Sequence, residues 1–175
     1  NDTISAEGTT RSIRFEGLHG DDILTGGGGD DRLHGGAGDD ILTGGDGDDR
    51  LDGGAGENTV TGGSGEDRFS FSNTEGHTLI TDYAAGERIQ FDVDRIGFDV
   101  DNLTSEITTI YDNATAQTKL YVQSDTVAQH HIASVNGEFV IASREYDARW
   151  GDVNVQLVEA ELQGDNTIVG TDEDD

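Results

Sequence analysis

Six residues with oxygen-bearing side chains recur at one fixed interval: Asp22, Asp31, Asp40, Asp49, Asn58 and Asp67 stand nine residues apart. Carboxylates repeated in this way offer only hard oxygen donors, and the chemistry they suit is the holding of a hard divalent cation. The units that carry them read GLHGDDILT, GGGGDDRLH, GGAGDDILT, GGDGDDRLD, GGAGENTVT and GGSGEDRFS, from Gly17 to Ser70 without a slip. Position six holds the acid or amide, position four is always Gly, and position eight is always apolar: Leu24, Leu33, Leu42, Leu51, Val60 and Phe69. Six in-phase units with an apolar residue at one fixed position exclude a solvated Gly/Asp linker.

The elements that must position these side chains follow from the residue types. Glycines at positions one, two and four permit backbone angles with φ > 0, so six residues turn sharply. The last three residues, one apolar between two polar, suit a very short strand with one buried face. Repetition winds the chain into a flattened coil in which two nonapeptides complete one circuit. Position-six side chains then line two edges: Asp22, Asp40 and Asn58 on one, Asp31, Asp49 and Asp67 on the other. The expected fold class is all-β, a parallel β-roll followed by a β-rich capping region.

Charge decides what the rows need. Two carboxylates about 5 Å apart repel by roughly 3 kcal/mol at an effective dielectric near 20. The whole chain carries 37 acidic against 10 basic residues, a formal charge of -27. Without a cation the repeat block is expected to be expanded and largely unfolded; with calcium bridging stacked aspartates, binding and folding become one event. Zinc is disfavoured, since there is no cysteine and the block holds only His19 and His34. The same charge opposes nucleic-acid binding and docking on an anionic membrane. No stretch approaches the roughly 20 apolar residues of a membrane span, no signal peptide is visible, and the absence of cysteine leaves no disulfide framework.

The pattern GGxGxDxUx resembles the nonapeptide of RTX proteins, an architecture known to bind calcium. The resemblance implies a parallel β-roll with about four or five calcium ions held between turns. It also implies secretion, unfolded, from a Gram-negative bacterium by a type I system, with folding delayed until calcium is met outside the cell. Side-chain ligands would be the six residues named above, paired Asp22 with Asp40, Asp31 with Asp49, Asp40 with Asn58, and Asp49 with Asp67. Backbone carbonyls of Gly26, Gly28, Gly35, Ala37, Gly44 and Asp46 would complete the shells. Asn58 departs from the pattern and should weaken its site; Leu18 and His19 make the first turn an imperfect cap.

Beyond the repeats, alternating apolar residues at 69–71, 78–83, 88–93, 107–112, 119–125, 131–135 and 138–143 read as strands. Asn113-Ala114 and Asn136-Gly137 read as turns, the latter a strong hairpin signal. The stretch DRFSF…ITDYAAGERIQFD resembles the segment that follows the repeats in serralysin C-terminal domains and in the R-modules of alginate epimerases. By that resemblance Asp82 would serve the last calcium of one edge. The organisation expected is a lead-in at 1–16, the roll at 17–70, a cap at 71–143, a connection at 144–163 and a further repeat block from 164 to 175. In the connection, Trp150 reads as a packing anchor, and the segment as a strand pair or a short helix. Asn1–Ser5 fit positions five to nine of a repeat, and Gly164 to Asp175 fit the phase of another block, as expected of one module of a tandem protein.

Catalytic signatures are absent: no HExxH, no G-x-S-x-G and no phosphate loop occurs. His130-His131 falls in an expected strand, one ring to each face. Arg32, Arg50 and Arg68 recur at position seven and should stack on one sheet face. They are either charge balance for the acids or a basic stripe for an anionic polysaccharide such as alginate. The function expected is a non-catalytic calcium-binding module that supports an attached enzyme or adhesin. The alternative is a polysaccharide-binding module, and the partners are calcium and the flanking modules.

Overall fold

The computed structural model describes residues 1–73, 75–84, 86–92, 107–112, 114–122, 130–137, 139–147 and 152–159. Its elements are strands: β1 (Thr3–Ser5), β2 (Arg14–His19), β3 (Ile23–Gly28), β4 (Arg32–Ala37), β5 (Ile41–Asp46), β6 (Arg50–Ala55), β7 (Glu57–Ser64), β8 (Arg68–Phe71), β9 (His77–Ile80), β10 (Arg88–Asp92), β11 (Ile107–Asp112), β12 (Gln117–Val122), β13 (His130–Asn136), β14 (Phe139–Asp147) and β15 (Asp152–Glu159). They form two sheets, ordered β1-β3-β5-β7-β9-β13-β12-β11 and β14-β15-β10-β8-β6-β4-β2. Successive strands of the roll alternate between the sheets, so two nonapeptides do make one coil. Five coils stack, from β1 with β2 to β9 with β10.

Strands β2 to β7 are six residues long or more, not three, and β8, at the end of the repeat block, has four. Each joins the end of one nonapeptide to the start of the next, because the parallel ladder resumes beyond the apolar residue: Ile41 to Thr43 pair with Thr59 to Thr61, and then Gly45 with Gly63. Position one is passed over, and the chain bends there. Gly45 sits at φ +124°, and a Cβ on it would strike the Gly27 carbonyl of the coil above. A side chain at this position would therefore force adjacent coils apart.

Position-eight residues form two internal columns. Leu24, Leu42 and Val60 continue into Ile80 in the first sheet, and Leu33, Leu51 and Phe69 continue into Ile89 in the second. All eight are at most 2% exposed. The segment read as a lead-in also takes part: Arg14, Phe15 and Glu16 pair in register with Arg32, Leu33 and His34, so β2 is a roll strand.

The cap grows from the roll without a break. Strands β9 and β10 add in parallel to β7 and β8. Then β13 joins β9 in parallel and carries the antiparallel β12 and β11, while β15 and β14 extend the second sheet antiparallel to β10. Asn136-Gly137 does not make a hairpin: β13 and β14 lie in different sheets. Both edges of β13 are already taken, by β9 and β12, so the chain leaves Gly137 (φ +103°) for the second sheet. The segment expected as a connection supplies the end of β14, from Arg144 to Asp147, and β15, which pair antiparallel. Tyr83 ties this pair to the roll: its hydroxyl donates to the Glu87 carbonyl at 2.8 Å and accepts from the Leu157 amide at 3.0 Å. Trp150 and the expected repeat block at 164–175 lie outside the described residues.

The two faces of one strand should respond differently to truncation. Leu42→Ala removes a fully buried side chain and is expected to cost about 2–5 kcal/mol. Ile41→Ala, at a residue 48% exposed, should cost well under about 1 kcal/mol. Denaturant unfolding in saturating calcium measures both, and equal losses would contradict the assigned facing.

Candidate metal centres

Each position-six side chain reaches from one coil to the next. The Asp22 amide donates to Asp40 Oδ1 at 2.8 Å and the Asp40 amide to Asn58 Oδ1 at 2.9 Å. On the other edge the Asp31 amide donates to Asp49 Oδ1 at 2.7 Å and the Asp49 amide to Asp67 Oδ1 at 2.9 Å. The four expected pairs are thus brought together, and all six side chains are at most 2% exposed. Position five works in the opposite sense, a feature the sequence reading missed. The Asp39 amide donates back to Asp21 Oδ1, and the Asp48 amide back to Asp30 Oδ1. Every such turn is held from both neighbouring coils.

The second oxygen of each aspartate is the informative atom. Oδ2 of Asp22, Asp31, Asp40, Asp49 and Asp67 is buried without any hydrogen-bond partner. A buried carboxylate oxygen left so costs about 1–3 kcal/mol or more, and five of them recur at one structural position. Beside each of the first four stands a peptide carbonyl. A Cβ built on Gly17, Gly26, Gly35 or Gly44 would collide both with the Oδ2 of its own repeat and with the carbonyl oxygen of Gly35, Gly44, Gly53 or Gly62 in the coil below. Two oxygens, neither carrying a proton when the acid is ionised, converge on a space closed to side chains. An all-oxygen pair of this kind, repeated along both edges, fits a hard divalent cation such as calcium.

Of the carbonyl ligands expected, Gly35 and Gly44 face these oxygens, joined by Gly53 and Gly62, which were not anticipated. The Ala37 carbonyl accepts the Gly20 amide at 2.8 Å. Gly26 and Gly28 lie in strand β3 and Asp46 in β5, not in turns, since these strands run on into the first three positions of the next repeat. Asn58 differs as its chemistry requires: its Nδ2 donates to the Gly54 and Gly56 carbonyls at 3.3 and 3.4 Å, filling the place where the aspartates leave an oxygen unpartnered.

At the cap end of the second edge, Glu87 follows Asp67, because Arg88 pairs with Arg68. Glu87 is 2% exposed, and its Oε2 accepts the Ala84 amide at 2.7 Å. The sequence reading passed over it because the nine-residue phase has ended there. Asp82 accepts the Gly62 and Gly63 amides at 2.9 Å each, one on each oxygen. Burial chiefly raises the pKa of Asp67 and Glu87, and the charge of Asp82 adds to both, so the three carboxylates form one cluster. His34 stands apart from the rows, its Nδ1 3.6 Å from Asp52. Arg32, Arg50 and Arg68 stack in register as expected, and Arg14 and Arg88 lengthen the ladder to five.

The nonapeptide repeat itself is found in known proteins. The family described as RTX calcium-binding nonapeptide repeat (4 copies) matches residues 14–42 and 34–69. Residues 14–69 are RTX calcium-binding repeats. Solved structures similar to this chain include the AlgE6R3 subunit of the Azotobacter vinelandii mannuronan C5-epimerase, at 22% identity over 75% of this chain and 74% of that one, TM-score 0.46. The AlgE6R2 subunit of the same enzyme matches at 24% identity over 72% and 84%, TM-score 0.39. No curated protein gives a significant match.

The RTX roll also titrates in a characteristic way. Burial, reinforced by neighbouring carboxylates and opposed by the backbone amide each accepts, lifts Asp49 and Glu87 to about 7 and raises Asp40 and Asp67. Folded acids with raised pKa bind protons that the unfolded chain, with carboxyls near about 4, does not. Metal-free stability must therefore increase as pH falls from about 7 toward about 4. In chelator, circular dichroism should show β signal gained between pH 8 and pH 5. An unchanged or falling signal over that range would contradict the buried-row geometry.

Proposed function

We propose that this chain is a non-catalytic calcium-binding RTX module of a larger secreted bacterial protein, folding when it meets calcium outside the cell and holding an attached enzyme or adhesin in shape. The observation that carries the reading is the set of five buried, partnerless Oδ2 atoms in two rows. Asp22, Asp31, Asp40, Asp49 and Asp67 are the side-chain ligands, with Gly35, Gly44, Gly53 and Gly62 supplying carbonyls. Asn58 is the weak member, and Glu87, aided by Asp82, closes the second row. Pairing down both edges gives four or five ions. A formal charge of -27 keeps the metal-free chain expanded, which suits export in an unfolded state through a type I system and folding on the far side.

Calcium titration followed by circular dichroism tests this. The expected result is a steep gain of β signal. Asp49→Ala, which breaks two pairs, should raise the calcium midpoint by at least about tenfold, equivalent to about 1.4 kcal/mol. Asn58→Asp should lower it by restoring the missing charge. A titration with no gain of β structure would sink the proposal.

The arginine ladder supports a second reading, attachment to an anionic polysaccharide. Arg14, Arg32, Arg50, Arg68 and Arg88 share one register position in adjacent strands of the second sheet. Parallel strands lie about 4.8 Å apart, so cations recur at close to the length of one sugar residue in a polyuronate. The acids of positions five and six flank the ladder on one side, and His34, Asp52 and Gln90 on the other. Calorimetry with alginate in saturating calcium should give heat that falls with added salt and is lost in the triple variant Arg32→Ala/Arg50→Ala/Arg68→Ala. No heat from the unmodified chain would remove this reading and leave calcium-driven folding untouched.

A further inference from the structure

Outside the acidic rows, one group of nitrogen donors converges at the seam between roll and cap. His77 opens β9, the last roll strand of the first sheet, and His131 lies in β13, which pairs with it. Nε2 of His77 and Nε2 of His131 each lie 3.0 Å from the same atom, Ser134 Oγ. The ring centroids are 4.3 Å apart. Behind His77, Nδ1 stands 3.2 Å from Glu57 Oε2. In the tautomer that donates from Nδ1 to Glu57, the Nε2 lone pair is turned toward the shared hydroxyl. A carboxylate behind the distal nitrogen is the arrangement that fixes the tautomer and raises the basicity of a metal-ligating histidine.

The second imidazole is equally well prepared. Tyr121 lies against the His131 ring at 5.1 Å between centroids. The His131 Nε2 is 2.9 Å from the Ala133 carbonyl, which takes the Nε2 proton in the metal-free chain. With an ion bound, the ring adopts its other tautomer, with the proton on Nδ1, so no net proton is consumed. The convergent atoms are two imidazole nitrogens, one hydroxyl and one peptide carbonyl. Imidazole suits first-row transition ions and not calcium, and such ions bind nitrogen at about 2.0–2.1 Å.

From this convergence we infer that His77 and His131 form a second metal site, specific for a divalent transition ion such as Cu²⁺ or Zn²⁺, that clasps the last roll strand to the cap. It differs from the calcium rows in donor chemistry, and it adjoins the first row through Glu57, the neighbour of Asn58 in β7. The ion joins β9 to β13, the contact through which the first sheet passes from parallel roll to antiparallel cap.

The test uses the full chain in saturating calcium. Cu²⁺ titration followed by electron paramagnetic resonance should show one equivalent with hyperfine structure from two nitrogens. His77→Gln and His131→Gln should each weaken that site at least tenfold and remove one nitrogen from the spectrum, whereas His34→Gln should leave it unchanged. In the unmodified chain, Zn²⁺ should shift the imidazole resonances of His77 and His131 and not those of His34, a readout that needs no variant to fold. Copper signals with no second nitrogen, equal loss in His34→Gln, or Zn²⁺ shifts spread over all histidines would overturn the inference.

Discussion

Everything in the roll depends on how a buried aspartate divides its two oxygens. Oδ1 accepts the backbone amide of the coil above, and that bond sets the axial register of one turn on the next. Oδ2 receives nothing from the protein and points at a peptide carbonyl, an arrangement stable only when a cation stands between them or a proton is added. The same side chain that aligns the coils thus carries a buried, unpartnered oxygen at Asp22, Asp31, Asp40, Asp49 and Asp67, and not at Asn58. Asn58 separates the two roles: it keeps the register bond to the Asp40 amide, and its Nδ2 donates to backbone carbonyls where an aspartate leaves an oxygen unpartnered.

The apolar core is correspondingly thin. Within the repeats it consists of two single-file columns, one residue per nonapeptide, and it broadens only in the cap, where Phe71 stacks on Phe91 and Tyr83 meets Phe69 and Phe139. This asymmetry assigns the two halves different tasks. The roll is held by backbone ladders and by the amide bonds that its buried acids accept, while the cap is held by ordinary packing and can close the end of the roll with buried aromatic surface. Tyr83, bonded to both Glu87 and Leu157, sits where one mode of stabilisation gives way to the other.

The comparison of sequence with structure turns on periodicity. The two rows, their pairs, the column of apolar residues and the stacking of Arg32, Arg50 and Arg68 were all legible, because a strict period of nine with two units per coil places residues 18 apart on one another. Legibility stopped where the spacing changed. Glu87 and Arg88 continue the Asp67 and Arg68 positions at a 20-residue interval, as Asp2 does above Asp22. Strand length was underestimated because glycine reads as turn in one dimension, although the ladder resumes through it.

What the sequence determined by itself is the repeat physics: an acid, a glycine frame and one apolar side chain per nine residues admit few arrangements other than a calcium-bearing coil. What only the tertiary structure decided is where distant segments meet. Asn136-Gly137 carries a local hairpin signal, yet sheet membership was settled by which strand edges were already occupied. His77 and Ser134, 57 residues apart, acquire a common purpose only because β13 pairs with β9. Local propensity and period act along the chain, whereas edge pairing and side-chain convergence are chosen by the free energy of the assembled sheets.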